Sequence, residues 1–257
     1  MSRWRQFGFP FVVWLMAAIL SGCVTTTTGA KPSIDKEKSL ATRLQLTLGY
    51  IRQGNRDAAR TNLNRARDIN RSDPRIFNAE AMLYQLEGES ELAEKAFRNA
   101  IRIDPGYSAA RNNYGVFLAS KGRLEEAIDQ FDISGKDIEY ERRDTALLNL
   151  GQTALKLGDE DKAKASLEHA VMLNRQLGAA LIELAEIEFK LRNYSAAKEY
   201  IDRFEQKNKP SPRSLWLGIR LERIFGNKDK EASLVLALKN RYPYSNEYLE
   251  YKRLANQ

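Results

Sequence analysis

From residue 40 to the C-terminal end, large apolar and small residues recur at helical spacings, with polar residues between them. Short polar turns interrupt this pattern at nearly regular intervals, so the recurring unit is a helix, a turn and a second helix. The turns start at Gly54, Gly88, Gly122, Gly158, Arg192 and Gly226, of which the last is the most divergent. Successive starts are 34, 34, 36, 34 and 34 residues apart. The pattern therefore predicts a chain of similar helical pairs.

Small residues occupy the positions at which the two helices of a unit would cross closely, and large apolar residues fill the space between one pair and the next. In the second unit the small residues are Ala81, Ala93 and Ala100, and the large ones are Phe77, Tyr84 and Phe97. A 34-residue period with this arrangement is that of the tetratricopeptide repeat. We expect an all-α fold, a right-handed superhelical solenoid of about six such repeats.

The repeats are expected near residues 40–73, 74–107, 108–141, 144–177, 178–211 and 212–245, followed by a C-terminal capping helix. Four of them depart from the pattern, and repeat three does so with Ser134 at position 27 and two extra residues before repeat four. Repeat one has Arg71 where proline is expected, and repeat five has no glycine at its turn. Repeat six has Gly218 and Ile219 where a large and then a small residue are expected. Terminal repeats of a solenoid are often atypical because they cap the stack.

Residues 1–22 have the layout of a secretory signal: Arg3 and Arg5, an apolar run over residues 7–20, and then Leu20-Ser21-Gly22-Cys23. This run is shorter than the ~20 residues that a membrane-spanning helix needs. The Leu-Ser-Gly-Cys stretch resembles a bacterial lipobox. The resemblance implies cleavage before Cys23, the only cysteine, and attachment of diacylglycerol and an N-acyl lipid to it. The alternatives are an uncleaved membrane anchor and a signal peptide with an incidental cysteine.

Lipidation implies a protein that is anchored to a membrane without spanning it, because two or more acyl chains give stable binding. In lipoproteins of the enteric type, an aspartate after the cysteine tends to retain the protein at the inner membrane. This chain has Val24 there, so the resemblance favours the periplasmic face of the outer membrane. Residues 23–39 are rich in Thr, Ser, Gly, Pro and charge, which predicts a flexible tether ahead of a folded body at 40–257.

Composition argues against several function classes. The chain carries 41 Lys and Arg against 34 Asp and Glu, a net charge of +7, and the excess is spread along the sequence. A nucleic-acid-binding protein would concentrate it in one patch. The single histidine, His169, has no cysteine or paired carboxylates beside it, and no glycine-rich phosphate loop is present. We therefore expect no enzyme activity, catalytic residues, metal site, cofactor, nucleic acid or small-molecule substrate.

Two stretches carry a narrower resemblance, NAEAMLYQLEGESELAEKAFRNAIRIDP at 78–105 and ARNNYGVFLASKGRLEEAIDQF at 110–131. With the lipobox, the threonine-rich tether and the repeats, they resemble the type IV pilus biogenesis and stability lipoproteins of the PilF/PilW type. The resemblance implies a pilotin: an outer-membrane lipoprotein that binds type IV pilus secretin subunits and promotes their outer-membrane localisation and multimerisation. Such a protein supports pilus biogenesis and twitching motility, and we expect it to be a monomer.

Two other function classes fit the same sequence. One is an outer-membrane repeat lipoprotein that acts as an adaptor for cell-wall hydrolases or for β-barrel assembly. The other is an accessory protein whose repeats scaffold a catalytic partner. Both would share the repeat fold and differ in the partner, which the residues alone do not name.

Stacked repeats form a concave surface lined by the first helix of each pair, and positions 5 and 9 of that helix usually face it. In the first four repeats these residues are Leu44 and Leu48, Asn78 and Met82, Asn112 and Val116, and Leu148 and Gln152. In the last two they are Ile182 and Glu186, and Trp216 and Arg220. Our hypothesis is that this strip binds an extended or helical partner segment, whose backbone the asparagines would bond. The alternative is that Leu44, Leu48 and Leu148 pack between neighbouring helices.

Overall fold

Residues 35–255, the range that the computed structural model describes, form thirteen α-helices and no strand. The helices are α1 Lys36–Arg52, α2 Arg56–Ile69, α3 Pro74–Glu87, α4 Ser90–Ile103, α5 Ser108–Ser120, α6 Leu124–Lys136, α7 Arg143–Leu157, α8 Glu160–Leu173, α9 Gly178–Lys190, α10 Tyr194–Lys207, α11 Pro212–Phe225, α12 Lys228–Arg241 and α13 Asn246–Ala255. The first twelve form six pairs, each with an A helix and a B helix, and α13 follows as a single helix. This confirms the all-α repeat solenoid. The expected signal segment at 1–22 and the lipidation site at Cys23 lie outside the described residues.

The body begins earlier than the sequence pattern indicated. The tether was expected to reach residue 39, but α1 starts at Lys36. Asp35 caps it, because its side chain accepts a hydrogen bond from the Lys38 backbone N–H at 3.1 Å. Leu40, only 1% exposed, then fixes this first turn to the core. Residues 36–39, which were expected to belong to the tether, are therefore part of the first helix, with Asp35 as its N-cap.

The stack is held by contacts between each A helix, its own B helix and the next A helix. One apolar cluster runs from Ala81 on α3 to Phe204 on α10. Within it the Phe97 ring lies 5.6 Å from the ring of Tyr114 and 5.9 Å from that of Phe117. These rings belong to neighbouring repeats, so their burial stabilises the stack and not one pair alone.

The A helices lie on the inner side of the curve. Each A helix from α1 to α9 contacts the next A helix, whereas the B helices of residues 35–255 make no comparably extensive contacts with one another. Elements that approach each other more closely occupy the inside of a curved stack. The A helices therefore line the concave surface, as expected from the repeat pattern.

Small residues set the distance between the two helices of a pair. A Cβ atom added to Gly151 on α7 would lie 2.6 Å from Leu167 Cγ and 3.1 Å from the Ala163 carbonyl oxygen, both on α8. Real Cβ atoms essentially never come as close as 2.6 Å to another atom, and the backbone oxygen cannot move aside without moving the helix. Glycine at this position therefore permits the close A–B contact on which the repeat geometry depends.

The turn of repeat five departs from the others because it has no glycine. The first residue of each other turn is a glycine with positive φ, such as Gly158 at +79°, and here Arg192 adopts the same conformation at +62°. Asn193 holds it in place, since its backbone N–H donates to the Glu188 carbonyl oxygen at 2.8 Å. Its side-chain Nδ2 donates to Glu188 Oε2, also at 2.8 Å. The turn thus keeps the repeat geometry at the cost of a left-handed non-glycine residue.

Glu222 on α11 is a buried carboxylate, only 2% exposed, that joins three consecutive elements. It accepts hydrogen bonds from Lys198 Nζ on α10 at 2.7 Å and from Asn227 Nδ2 in the next turn at 2.6 Å. Lys230 Nζ on α12 lies 3.1 Å away. Burial alone would raise the pKa of Glu222, but these donors outweigh it and lower the pKa to about 2.

Replacing Arg192 with glycine should stabilise the protein. Glycine takes the left-handed conformation without the Cβ penalty, which exceeds the entropy that glycine adds to the unfolded chain. We expect a gain of about 0.5–1 kcal/mol in the free energy of unfolding, measured by urea denaturation. The reciprocal control, Gly158→Arg, should lose stability. An unchanged or lower urea midpoint for Arg192→Gly would show that the turn carries no backbone strain.

Glu222→Gln should destabilise the protein by about 2 kcal/mol or more at pH 7, because it removes the charge from a buried ion pair. The folded-state pKa is depressed, so the stabilisation is present above the ordinary pKa of 4.5 and is lost as the pH falls towards about 2. The difference in unfolding free energy between wild type and Glu222→Gln should therefore shrink between pH 7 and pH 3. The control, Glu125→Gln, changes an exposed carboxylate and should have little effect at either pH. A difference for Glu222→Gln that does not vary with pH would contradict the assignment.

Candidate partner-binding groove

The concave surface formed by α1, α3, α5, α7, α9 and α11 contains the residues that the sequence singled out, but they differ in exposure. Leu44 is 6% exposed and belongs to the core cluster of the first two repeats, with Leu63 and Ile76. Its role is therefore helix packing, which is the alternative that the sequence left open. Leu44 offers a partner almost no surface.

The other apolar residues of the strip are accessible to different degrees. Leu48, Met82 and Leu148 are half-buried, and each packs against a core cluster with part of its side chain. Val116 on α5 is 45% exposed and is the most accessible apolar side chain of the strip. The apolar surface is thus concentrated in the middle repeats and does not run evenly along the groove.

The asparagines of the groove bond one another from repeat to repeat. Asn78 and Asn112 are 5% and 4% exposed. Asn113 Nδ2 donates to Asn78 Oδ1 at 3.0 Å, and Asn149 Nδ2 donates to Asn112 Oδ1 at 3.0 Å. The expectation that these side chains serve to bond a partner's backbone therefore needs correction. Their oxygens already accept hydrogen bonds that link successive A helices.

The polar bridges become ionic towards the C-terminal end. Gln152 Nε2 donates to Glu183 Oε1 at 3.2 Å. Arg213 on α11 reaches back to α9, where it contacts Glu183 Oε2 at 2.6 Å and Glu186 Oε1 at 2.5 Å. Burial by itself would raise the pKa of Glu183. The Arg213 guanidinium and the Gln152 amide have a larger effect in the opposite direction, so the pKa of Glu183 is lowered. This end of the groove has fixed charges where the middle has amides.

Sequence reasoning missed the bridging residues because it considered only positions 5 and 9. Asn113, Asn149 and Glu183 all occupy position 6, and Arg213 occupies position 2 of the last A helix. A signal was present: a polar residue follows position 5 in three consecutive repeats, at spacings of 36 and 34 residues. A polar residue that recurs with the repeat period on an otherwise apolar face is a candidate for contact between repeats.

The C-terminal helix α13 closes the end of the stack. The Tyr251 ring meets the Trp216 ring edge-on at 6.3 Å, and Tyr248 stacks on Tyr251 at 6.2 Å. Tyr242 donates from its hydroxyl to the Pro210 carbonyl oxygen at 2.6 Å. Tyr244, in contrast, is 92% exposed. Three of the four tyrosines at this end therefore pack on repeat six, as a capping role requires.

Residues 35–255 contain neither a cluster of metal ligands nor a membrane-spanning helix. Within residues 35–255, no three His, Cys, Asp or Glu side chains are placed to hold a metal ion together. His169 is half-buried on α8, on the convex side. None of the helices in this range has the length and apolar character needed to cross a membrane.

Family comparisons agree with the repeat architecture. Tetratricopeptide-repeat profiles match residues 44–108, 78–134 and 144–177. Among solved structures, YrrB, described as a tetratricopeptide-repeat protein with an unusual peptide-binding site, superposes with a TM-score of 0.60 at 18% identity, over 74% of this chain and 97% of that one. Likeness at this identity concerns the fold alone.

Two type IV pilus proteins match over most of their length. The type IV pilus assembly protein PilF of Pseudomonas aeruginosa is 36% identical over 243 residues, which cover 94% of this chain and 96% of that protein. Its solved structure superposes with a TM-score of 0.79 at 35% identity, over 85% and 98% of the two chains. PilW, described as a widely conserved type IV pilus biogenesis factor, superposes with a TM-score of 0.67 at 25% identity, over 82% and 97%. The chain therefore belongs to the family of tetratricopeptide-repeat proteins of type IV pilus biogenesis that includes PilF.

Proposed function

We propose that this protein is a pilotin: a lipoprotein of the outer membrane that binds type IV pilus secretin subunits and promotes their localisation and multimerisation there. The observation that carries the proposal is the 36% identity to PilF across nearly the whole of both chains. A solenoid of tetratricopeptide repeats presents an extended concave surface, which fits a scaffold that acts by binding.

The groove supports a binding role because hydrogen bonds cross-link its floor and part of its apolar surface is accessible. The amide bridges between Asn78 and Asn113 and between Asn112 and Asn149 hold three successive A helices in fixed register. Met82 and Val116 lie on two of these helices, and Met82 Sδ is 3.5 Å from Asn113 Nδ2. A segment of the secretin subunit that lies across α3 and α5 would bury its apolar side chains against Met82 and Val116.

The lipid anchor would localise the protein to the outer membrane. Residues 24–35 separate the proposed lipidated cysteine from the first residue of α1. Twelve fully extended residues span at most about 40 Å. The body would therefore stay close to the inner face of the outer membrane while the groove captures secretin subunits that arrive through the periplasm.

Deletion of the gene should abolish heat-stable secretin multimers in the outer membrane or move the secretin to the inner membrane. Wild-type protein should restore the multimers, whereas Cys23→Ala should restore them poorly at the outer membrane because it removes the thiol that carries the lipid. The measurement is fractionation of the two membranes, followed by immunoblotting of the secretin.

Normal secretin multimers in the outer membrane of the deletion strain would refute the pilotin function. Affinity capture with the wild-type protein would then test for a cell-wall hydrolase or a β-barrel assembly component as the partner. If Cys23→Ala restores the multimers fully, the proposed role in secretin assembly stands and only the proposed role of the lipid is rejected.

Val116→Glu should weaken secretin binding about tenfold, as expected for the loss of an apolar anchor worth about 1.4 kcal/mol. Val116 is exposed, so the change should leave folding intact. Met82→Glu should act in the same direction, with circular dichroism to confirm that this half-buried site tolerates the charge. The matched control is Leu92→Glu, at a side chain that is 44% exposed on the convex helix α4. Unchanged affinity for folded Val116→Glu and Met82→Glu would place the secretin-binding surface elsewhere.

A further inference from the structure

Arg220 on α11 is an exception among the polar side chains of the fold. Its Nε is the one buried side-chain nitrogen or oxygen in residues 35–255 that has no hydrogen-bond partner. A buried donor without a partner costs roughly 1–3 kcal/mol, more for a charged group, so its presence calls for an explanation. Arg220 occupies position 9 of the last A helix, on the concave surface.

Two aromatic rings hold the guanidinium. Arg220 Cζ lies 4.4 Å from the centroid of the Phe189 ring on α9 and 5.3 Å from that of the Trp216 ring on α11. The rings remove water from the guanidinium, and this burial lowers the pKa of Arg220, which remains charged at neutral pH. The contacts fix the orientation of the group but give its charge no hydrogen-bonded partner.

No carboxylate in the described part of the chain forms an ion pair with Arg220. Glu186 and Glu250 are near enough to affect its pKa, but neither forms an ion pair with it, and both Glu186 oxygens already accept from Arg213, at 2.5 and 2.7 Å. Other buried charges at this end are matched, as Glu222 is by Lys198. Arg220 is therefore held in a fixed orientation and partly desolvated, and its guanidinium has no carboxylate bonded to it.

A pocket of about 360 Å³ lies beside Arg220, between α9, α11 and α13. This volume is at the lower end of the range of small-ligand sites and is sufficient for one side chain with its adjoining backbone. Lys190 borders it on α9, while Glu247 and Glu250 border it on α13. The two glutamates disfavour a phosphate or a run of acidic residues, so a single carboxylate beside Arg220 fits the charges best.

We propose that Arg220 is the anchor for one Asp or Glu side chain of the partner segment, at the C-terminal end of the groove. The planar guanidinium binds a carboxylate with two parallel hydrogen bonds, and Phe189 and Trp216 hold it in position to do so. The identity of the partner rests on the proposed function, but the carboxylate chemistry does not. An internal segment that lies along the groove can deliver such a side chain because the pocket is lined by two of the A helices that form the concave surface, α9 and α11.

Trp216 provides a direct reporter. The chain has three tryptophans, at 4, 14 and 216, and removal of residues 1–22 leaves Trp216 alone. The protein isolated from membranes is titrated in detergent at constant ionic strength with acetyl-Ala-Glu-Ala-amide. The comparison peptides are acetyl-Ala-Gln-Ala-amide and acetyl-Ala-Ala-Ala with a free carboxyl terminus. We expect a saturable change in Trp216 fluorescence with the glutamate peptide only, at millimolar concentrations.

Variants test whether the change depends on the guanidinium. Arg220→Gln should abolish it, and Arg220→Lys, which keeps the charge but not the planar fork, should weaken it several-fold. The matched control is Arg223→Gln, since Arg223 lies on the same helix, is exposed and pairs with Glu231. Circular dichroism checks the fold of each variant. An equal response to the glutamine peptide, a response to the free carboxyl terminus alone, or a full response in Arg220→Gln would overturn the proposal.

Secretin capture separates this inference from the proposed function. Wild type, Arg220→Gln and Val116→Glu are compared for capture of the secretin subunit. Loss of at least tenfold in affinity for Arg220→Gln, with Arg223→Gln unchanged, supports both. Undiminished capture by Arg220→Gln rejects the anchoring role while the pilotin function stands. A glutamate-peptide response that requires Arg220, in a protein that captures no secretin, supports the carboxylate site and rejects the pilotin function.

Discussion

The close contact between the two helices of each pair is the constraint on which the rest of the structure depends. At Gly151 there is no room for a Cβ atom, because Leu167 and the Ala163 carbonyl oxygen occupy that space. A pair held this closely presents a narrow apolar edge that it cannot bury by itself. The next pair must cover it, and aromatic residues such as Phe97 and Tyr114 fill the gap. Stacking is therefore a consequence of small residues within a pair and large residues between pairs.

Stacking also creates the concave surface and determines its chemistry. Successive A helices come close enough for short amides to meet, which is why Asn113 reaches Asn78 and Asn149 reaches Asn112. These bonds use side chains that would otherwise be free to contact a partner, and they cross-link the floor of the groove. In the middle repeats the apolar surface that stays accessible is that of Val116 and part of Met82. Cross-links of this kind reduce the ordering cost of binding on the side of the groove.

In the last two repeats, charged side chains hold the turns and link successive A helices. Where the glycine of the turn is missing, Glu188 and Asn193 hold Arg192 in the left-handed conformation. In repeat six, Glu222 accepts a hydrogen bond from Asn227, as Glu188 does from Asn193 in repeat five. Glu222 also forms ion pairs with two lysines. Arg213 links α11 back to α9 through two glutamates. In this ionic region Arg220 stands out, because two aromatic rings flank it and no carboxylate among residues 35–255 forms an ion pair with it.

The sequence by itself determined the helical pairs, their order and their turns, because the 34-residue period and the small and large positions are local features that repeat in the chain. It also held a signal for the start of α1 in Asp35, although the low-complexity segment around it suggested a tether. The pattern placed positions 5 and 9 on one strip and did not separate them by exposure. In the structure Leu44, at position 5, is buried beneath neighbouring helices, whereas Val116, at position 9, is 45% exposed. The amide pairs likewise join residues 35 and 37 positions apart, and Arg220 meets the ring of Phe189, which lies in the preceding repeat. Only the tertiary structure brings these residues together, because the rotation of one repeat against the next decides which side chains meet.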